Sequence, residues 1–165
     1  MTAVEYDQAL AGQARINLRH YLNVDVVQGN GTLFPQAKVD VVYVNFALDH
    51  PARLWVDNLA SGGRLLFPLG IPALDDGGIP LPFTKMAGFL LIDHREKGFG
   101  ARFLQPVSFV WGEGQEPASA GRHDALERAF RQRMAAQVQQ LRWRRSQDED
   151  EWYSEEEWGL VKQPP

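Results

Sequence analysis

The sequence predicts an α/β fold with a mostly parallel, helix-covered sheet that ends in an antiparallel hairpin. Three observations carry this reading. Over the first 70 residues, short apolar runs alternate with helical periodicity, the pattern of parallel strands joined by right-handed crossovers. The run at 39–45 is almost continuously apolar, as in a parallel strand covered on both faces. Two apolar runs, 87–95 and 99–110, flank Glu96-Lys97-Gly98, which reads as a hairpin on the sheet edge with Gly98 in the turn.

The elements follow in order. Residues 2–6 read as a short strand ending in an acid, and Asp7 is a good N-cap for the next element. From 8 to 22, Leu10, Ala11, Ala14, Leu18, Tyr21 and Leu22 recur at three- and four-residue steps, a helix with one apolar face. The second strand, 24–27, stops at Gly29-Asn30-Gly31, a turn signal. Pro51 suits a first helical turn, and the helix it opens runs to Leu59 and is closed by Ser61-Gly62-Gly63. A fourth strand occupies 64–69. Residues 71–83, with three prolines and Gly77-Gly78, read as a loop. A last helix is expected from Asp124 to about Leu141. The chain therefore divides into a domain at 1–141 and a tail at 142–165, where basic, acidic and tryptophan residues alternate.

Composition narrows the function classes. The chain has 165 residues, a net charge of -4 and no cysteine. It has no basic face for nucleic acid, no disulfide framework and no thiolate chemistry. No apolar run approaches the roughly 18 residues that span a bilayer, and no signal peptide opens the chain, so a cytoplasmic protein is the expectation. The scattered His20, His94 and His123 lack metal-ligand spacing, so no metal site is expected.

Ligands of doubly wound sheets bind at the carboxyl ends of the strands. Glu5 could accept the hydroxyl hydrogens of a ribose, or could be a solvated acid at a helix start. Tyr6 follows it. Asn30, between Gly29 and Gly31, could pair with an adenine edge, or could belong to a tight turn. Asn45 ends the third strand and either lines the site or caps the following loop. Asp49-His50 has the form of an acid–base pair, but reads more simply as a turn residue beside an exposed histidine. No catalytic residue emerges.

Taken together, these segments resemble a known family. The stretch Thr2-Ala3-Val4-Glu5-Tyr6-Asp7 resembles the segment after the glycine-rich loop of class I S-adenosylmethionine-dependent methyltransferases, and the stretch from Val24 to Thr32 resembles their adenine-side turn. Asp40-Val41-Val42-Tyr43-Val44-Asn45 and Gly62-Gly63-Arg64-Leu65-Leu66-Phe67-Pro68-Leu69-Gly70 are closest to the protein-L-isoaspartate O-methyltransferases, as is Gly98-Phe99-Gly100-Ala101-Arg102-Phe103. The resemblance implies a Rossmann-like methyltransferase fold, S-adenosylmethionine as cofactor, and methyl transfer to a carboxylate on a protein or small-molecule acceptor. It implies that Glu5 and Tyr6 lie at the ribose, Gly29, Asn30 and Gly31 at the adenine, and Asn45 near the reacting methyl. The family has Asp at the position of Asn30. An amide both donates and accepts, so adenine contact stays compatible.

The family's first strand and its Gly-x-Gly-x-Gly loop have no counterpart, since only three residues precede Val4. The expectation is an N-terminally truncated domain, weakly active or inactive alone, with an exposed sheet edge available for self-association. A start assigned too late, a degenerate remnant and a partner-supplied strand are the three explanations. A carboxylate acceptor needs no potent general base, which fits the lack of an obvious one. Two rival readings are a non-catalytic remnant using its tail as an interaction surface, and a nicotinamide-dependent Rossmann oxidoreductase.

Overall fold

The computed structural model describes residues 1–113, 120–147 and 150–162. Its strands are β1 (Thr2–Glu5), β2 (Asp25–Gln28), β3 (Val39–Tyr43), β4 (Leu59–Leu74), β5 (Pro80–Arg95), β6 (Gly98–Pro106), β7 (Val138–Trp143), β8 (Glu151–Ser154) and β9 (Trp158–Lys162). Its helices are α1 (Gln8–Leu18), α2 (Arg53–Asp57) and α3 (Ala120–Arg131).

The strands form two sheets. β1 and β2 pair in parallel, and a seven-stranded sheet has the order β3-β4-β5-β6-β7-β9-β8. The expected parallel character holds for β1–β2 and β3–β4 and stops there. From β4 onward every pairing is antiparallel, so the large sheet is mixed.

The first crossover forms as expected but is shorter. The Asp7 carboxylate caps α1 by accepting from Leu10 N at 2.8 Å. The helix ends at Leu18, and 3.0 Å and 2.9 Å turn bonds from Val24 N and Tyr21 N carry the chain to β2. Only Ala11 of α1 is buried; Leu10, Ile16, Tyr21 and Leu22 are exposed. A two-stranded sheet is too small to cover the apolar face that the periodicity lays out.

Five other expectations are corrected. The loop at 71–83 is mostly strand: β4 runs to Leu74 and β5 starts at Pro80, leaving a turn in which Asp75 Oδ1 accepts from Gly77 N and Ile79 N. Prolines are tolerated there because the pairing shifts register on both sides of Pro72. Ser61-Gly62-Gly63 does not close a helix but lies within β4. A Cβ on Gly63 would come within 2.9 Å of Ala60 O and 3.1 Å of Asp40 O, so glycine permits the close approach at the irregularity between β3 and β4.

The hairpin around Glu96-Lys97-Gly98 forms but is not at the edge, because β7, β9 and β8 extend the sheet beyond β6. The last helix stops at Arg131, and Arg133 takes a left-handed φ of 55° that no helix continues. Val138 and Leu141 then enter a strand. A register shift between Val138 and Gln140 lets residues three apart both be buried, which imitates helical spacing.

The segment read as a tail enters the sheet as the end of β7, β8 and β9. Trp152, Tyr153, Trp158 and Leu160 are buried with Leu126, Leu141 and the β4–β6 core. Arg142, itself buried, ties the segment together. It pairs with the Glu151 carboxylate and donates to the carbonyls of Glu155, Trp158 and Arg145. Its positive charge is thus matched and its donors are met, as a buried guanidinium requires.

Candidate functional site

The carboxyl ends of β1 and β2 lie side by side. Glu5 is in register with Gln28, Gly29 N donates to Glu5 O at 2.8 Å, and Gln28 Nε2 donates to Tyr6 O at 3.0 Å. Glu5, Tyr6 and the Gly29–Gly31 turn therefore share one sheet end. Glu5 Oε1 accepts from Asp7 N at 2.9 Å, while Oε2 has no protein partner among the described residues.

Asn30 caps the 3₁₀ turn Gly31–Leu33. Its Oδ1 accepts from Thr32 N at 3.0 Å and Thr32 Oγ1 at 2.8 Å. The turn-building role is thus real, and it leaves the amide nitrogen of Asn30 as the group able to meet a ligand.

The turn is fixed to the other sheet. Trp55 Nε1 donates to Gly31 O at 2.9 Å, and a Cβ on Gly31 would sit 3.5 Å from the Phe46 ring. Phe46 packs edge-on against Trp55 with centroids 5.9 Å apart. The segment following β3, which holds exposed Asn45 and half-buried Phe46, is thereby joined to the Gly29–Gly31 turn. Glycines, one uncommitted carboxylate oxygen and an amide nitrogen suit an adenosine: hydroxyl pair to carboxylate, ring edge to amide, backbone close to the ring.

A second cluster stands just beyond. Asp49 is buried, and both its oxygens are engaged: His50 Nδ1 lies 2.5 Å from Oδ1 and His123 Nε2 lies 3.0 Å from Oδ2. Arg122 Nη1 is 3.8 Å from Oδ2, and Arg122 Nε also pairs with Glu155 Oε1 at 3.2 Å. The Tyr153 hydroxyl donates to the same Glu155 oxygen at 2.5 Å.

Burial on its own would raise the Asp49 carboxyl. The hydrogen bonds from His123 and His50, with the charges of His50 and Arg122, outweigh it and hold the group well below the usual carboxylate range. Burial and the bond to Glu155 push the Tyr153 hydroxyl well above its usual range.

The sequence reading missed this cluster's assembly. Asp49-His50 was visible as a pair, but His123 is 74 residues away and no spacing announces it. The signal that existed was the loop's place at the carboxyl end of β3. His94 is structural: its Nδ1 bonds Leu59 O at 3.0 Å and its ring stacks on Phe99. Among the described residues no group of three or more His, Asp or Glu is arranged to hold a metal.

Residues 1–76 match the family model described as Protein-L-isoaspartate(D-aspartate) O-methyltransferase (PCMT). The chain is a relative of the protein-L-isoaspartate O-methyltransferase family. A protein of that name from Koribacter versatilis (strain Ellin345) is 42% identical over 120 residues, 70% of this chain and 50% of the relative. Another from Herpetosiphon aurantiacus is 35% identical over 74 residues, 42% of this chain and 33% of the relative. The chain thus spans half or less of the length of these curated relatives.

Solved structures share the fold. A protein-L-isoaspartate O-methyltransferase superposes with a TM-score of 0.53 at 21% identity, covering 79% of this chain and 37% of that one. A putative protein-L-isoaspartate O-methyltransferase from Plasmodium falciparum, in complex with S-adenosyl-L-homocysteine, gives 0.54 at 16% identity, covering 69% and 52%. This chain therefore has the Rossmann-like methyltransferase fold expected from its sequence, with a mixed rather than mostly parallel sheet.

Proposed function

We propose that this chain carries the adenosine-binding part of an S-adenosylmethionine-dependent O-methyltransferase of the protein-L-isoaspartate carboxyl type. One observation supports it above the others: the acid ending β1 and the Gly29-Asn30-Gly31 turn ending β2 are side by side, and Trp55 and Phe46 hold that turn against the segment after β3.

The roles follow from chemistry. Glu5 would accept the ribose hydroxyls and Tyr6 would flank them. Gly29, Asn30 and Gly31 would border the adenine, with the Asn30 amide donating to a ring nitrogen. Asn45 would lie nearest the acceptor, a carboxylate on a protein or small molecule. The cofactor supplies an already electrophilic sulfonium methyl, so the residues' work is chiefly to position the reactants and exclude water.

The family likeness is to methyltransferases, which weighs against a nicotinamide oxidoreductase. Burial of Trp152 and Trp158 removes two of the three tryptophans that an interaction tail would present. No helix among the described residues is long and apolar enough to cross a membrane. The open edges of β1 and β3 are where self-association would occur.

The test is calorimetric titration of the chain with S-adenosyl-L-homocysteine, repeated with Glu5→Gln. Loss of charge-assisted bonds to the ribose should weaken binding by about tenfold or more. Equal affinity of the two proteins would contradict the assignment of Glu5.

A further inference from the structure

We propose that Asn30-Gly31 is a modification site: the step deamidates through a cyclic imide, and the aspartyl product turns the group facing a bound adenine ring from donor to acceptor. The modification stands on the turn alone, while its effect on adenine rests on the function proposed above.

The chemistry needs a backbone nitrogen that is free to attack the side-chain amide carbon one residue before it. Glycine suits the attacking position, because no Cβ crowds the approach. Two such steps occur in the sequence, Asn30-Gly31 and Asp76-Gly77. The structure distinguishes them. Gly77 N donates to Asp75 Oδ1 at 2.9 Å, so that nitrogen is engaged. Gly31 N has no protein partner among the described residues. Gly31 is held through its carbonyl, by Trp55 Nε1 at 2.9 Å, which leaves its nitrogen open.

The Asn30 side chain is oriented for the reaction. Its Oδ1 accepts from Thr32 N at 3.0 Å and from Thr32 Oγ1 at 2.8 Å, whereas Nδ2 has no protein partner among the described residues. The ring closed by the Thr32 N bond contains both Asn30 Cγ and Gly31 N, so electrophile and nucleophile stay within one small loop of bonds. The two Thr32 donors also sit on the oxygen where negative charge develops as the nitrogen adds. Asn30, Gly31 and Thr32 are half-buried rather than sealed, so water and hydroxide reach them.

The atoms balance with water as the sole co-reactant. Hydroxide takes the Gly31 N–H proton, and the nitrogen's electron pair forms a bond to Asn30 Cγ. The Cγ–Nδ2 bond breaks, and Nδ2 leaves as ammonia with a proton returned by solvent. Water then opens the imide. Breaking the new Cγ–N bond leaves aspartate at residue 30. Breaking the original backbone C–N bond leaves an isoaspartyl residue, with the chain running through Cβ and Cγ.

The aspartyl product keeps one oxygen on Thr32 and presents the other where the amide nitrogen stood. A neutral donor to a ring nitrogen becomes a charged acceptor for the exocyclic amine of adenine, and charge-assisted bonds are the stronger kind. Asp is also the family's residue at this position, so deamidation brings this chain to the familial side chain. The isoaspartyl product instead lengthens the backbone before Gly31 and takes the Thr32 donors out of register.

The first test maps residue 30 without any ligand. The chain is held in mildly alkaline heavy-oxygen water, and its peptides are read by electron-transfer mass spectrometry, which separates aspartyl from isoaspartyl. Asn30 should convert ahead of Asn17, Asn23, Asn45 and Asn58, and residue 76 should stay aspartyl. Gly31→Ala, whose Cβ would meet the Phe46 ring at an ordinary 3.5 Å, should slow conversion about fivefold. Thr32→Val removes one donor from the amide oxygen and should slow conversion about fivefold in the folded chain but not in urea. Earlier conversion at another asparagine or at residue 76, or wild-type rates in both folded variants, overturns the modification site.

The second test reads the switch. Calorimetry with S-adenosyl-L-homocysteine should show Asn30→Asp binding about fivefold more tightly than the wild type. With S-inosyl-L-homocysteine, which carries an oxygen in place of the exocyclic amine, that gain should vanish. No gain with the adenosyl ligand, or an equal gain with both, overturns the switch. Binding by neither protein overturns the switch and the adenosine reading together, while the mapping still decides the modification.

Discussion

At the scale of single residues, Asp49 carries the most consequence. It is buried, ionised and bonded on both oxygens, so removing its charge leaves His50 and His123 poorly matched. Asp49→Asn should cost about 1–3 kcal/mol, seen as a lower urea midpoint near neutral pH. The pH dependence has a definite sign. The folded-state value lies below the ordinary 3.8, so between the two the native state binds fewer protons than the unfolded chain. The Asp49 contribution is whole above about pH 4 and is lost as pH falls below it. The gap between wild-type and Asp49→Asn midpoints should therefore narrow in acid. A gap that widened in acid would contradict the assignment.

The same residue shows what sequence could and could not reveal. The pairing with His50 is local and was visible as two adjacent letters. The pairing with His123 depends on α3 folding back over the loop after β3, and no periodicity encodes that return. The turn-building role of Asn30 was legible, because glycines on either side predict a turn, and its place after β2 is what suggests a ligand contact as well. The structure gives the oxygen to the turn and leaves the amide nitrogen without a protein partner among the described residues.

At the scale of elements, the first crossovers were legible because parallel strands are apolar runs set off by glycine and by caps. β1, β2, β3 and the start of α1 fall close to their expected places. What failed were elements whose local signal mimics another kind. Prolines and glycines at 71–83 suggested a loop, yet a long hairpin tolerates them where register shifts. A bulge at Val138–Gln140 gave strand residues helical spacing.

Trp55 is the element-scale joint. From α2, within the larger body, its indole N–H reaches Gly31 O beside the small sheet. Trp55→Phe keeps the aromatic packing but removes that donor and leaves the carbonyl unmet. It should cost about 1–2 kcal/mol and should raise hydrogen exchange in β1, β2 and the Gly29–Gly31 turn more than in β4–β6. Uniform change across both sheets would contradict the joint.

At the scale of the whole molecule, the sequence suggested a domain followed by a tail, while the structure runs one core through residues from Val44 to Leu160. The tail's tryptophans looked like decoration because basic and acidic residues surround them. Their burial depends on Arg142 being neutralised from within the same segment, a pairing between β7 and β8 that no helix or strand period displays. Ending the chain at residue 141 removes Trp152, Trp158 and Leu160 from that core. Such a protein should lose cooperative thermal unfolding rather than merely a binding partner; a sharp transition near the full-length Tm would argue for a separable tail.

The two sheets meet at the joint around Phe46, Trp55 and Gly31, and there the predicted ribose, adenine and acceptor-side residues come together. The central claim is that this meeting point is the adenosine site. Its most direct test is a nuclear magnetic resonance titration of the isotope-labelled chain with S-adenosyl-L-methionine, read at backbone amides. The account predicts saturable shifts concentrated at Glu5, Tyr6, Gly29, Asn30, Gly31 and Asn45. Shifts confined instead to the separate cavity lined by Phe99, Trp143 and Arg145, or none at millimolar ligand, would contradict it.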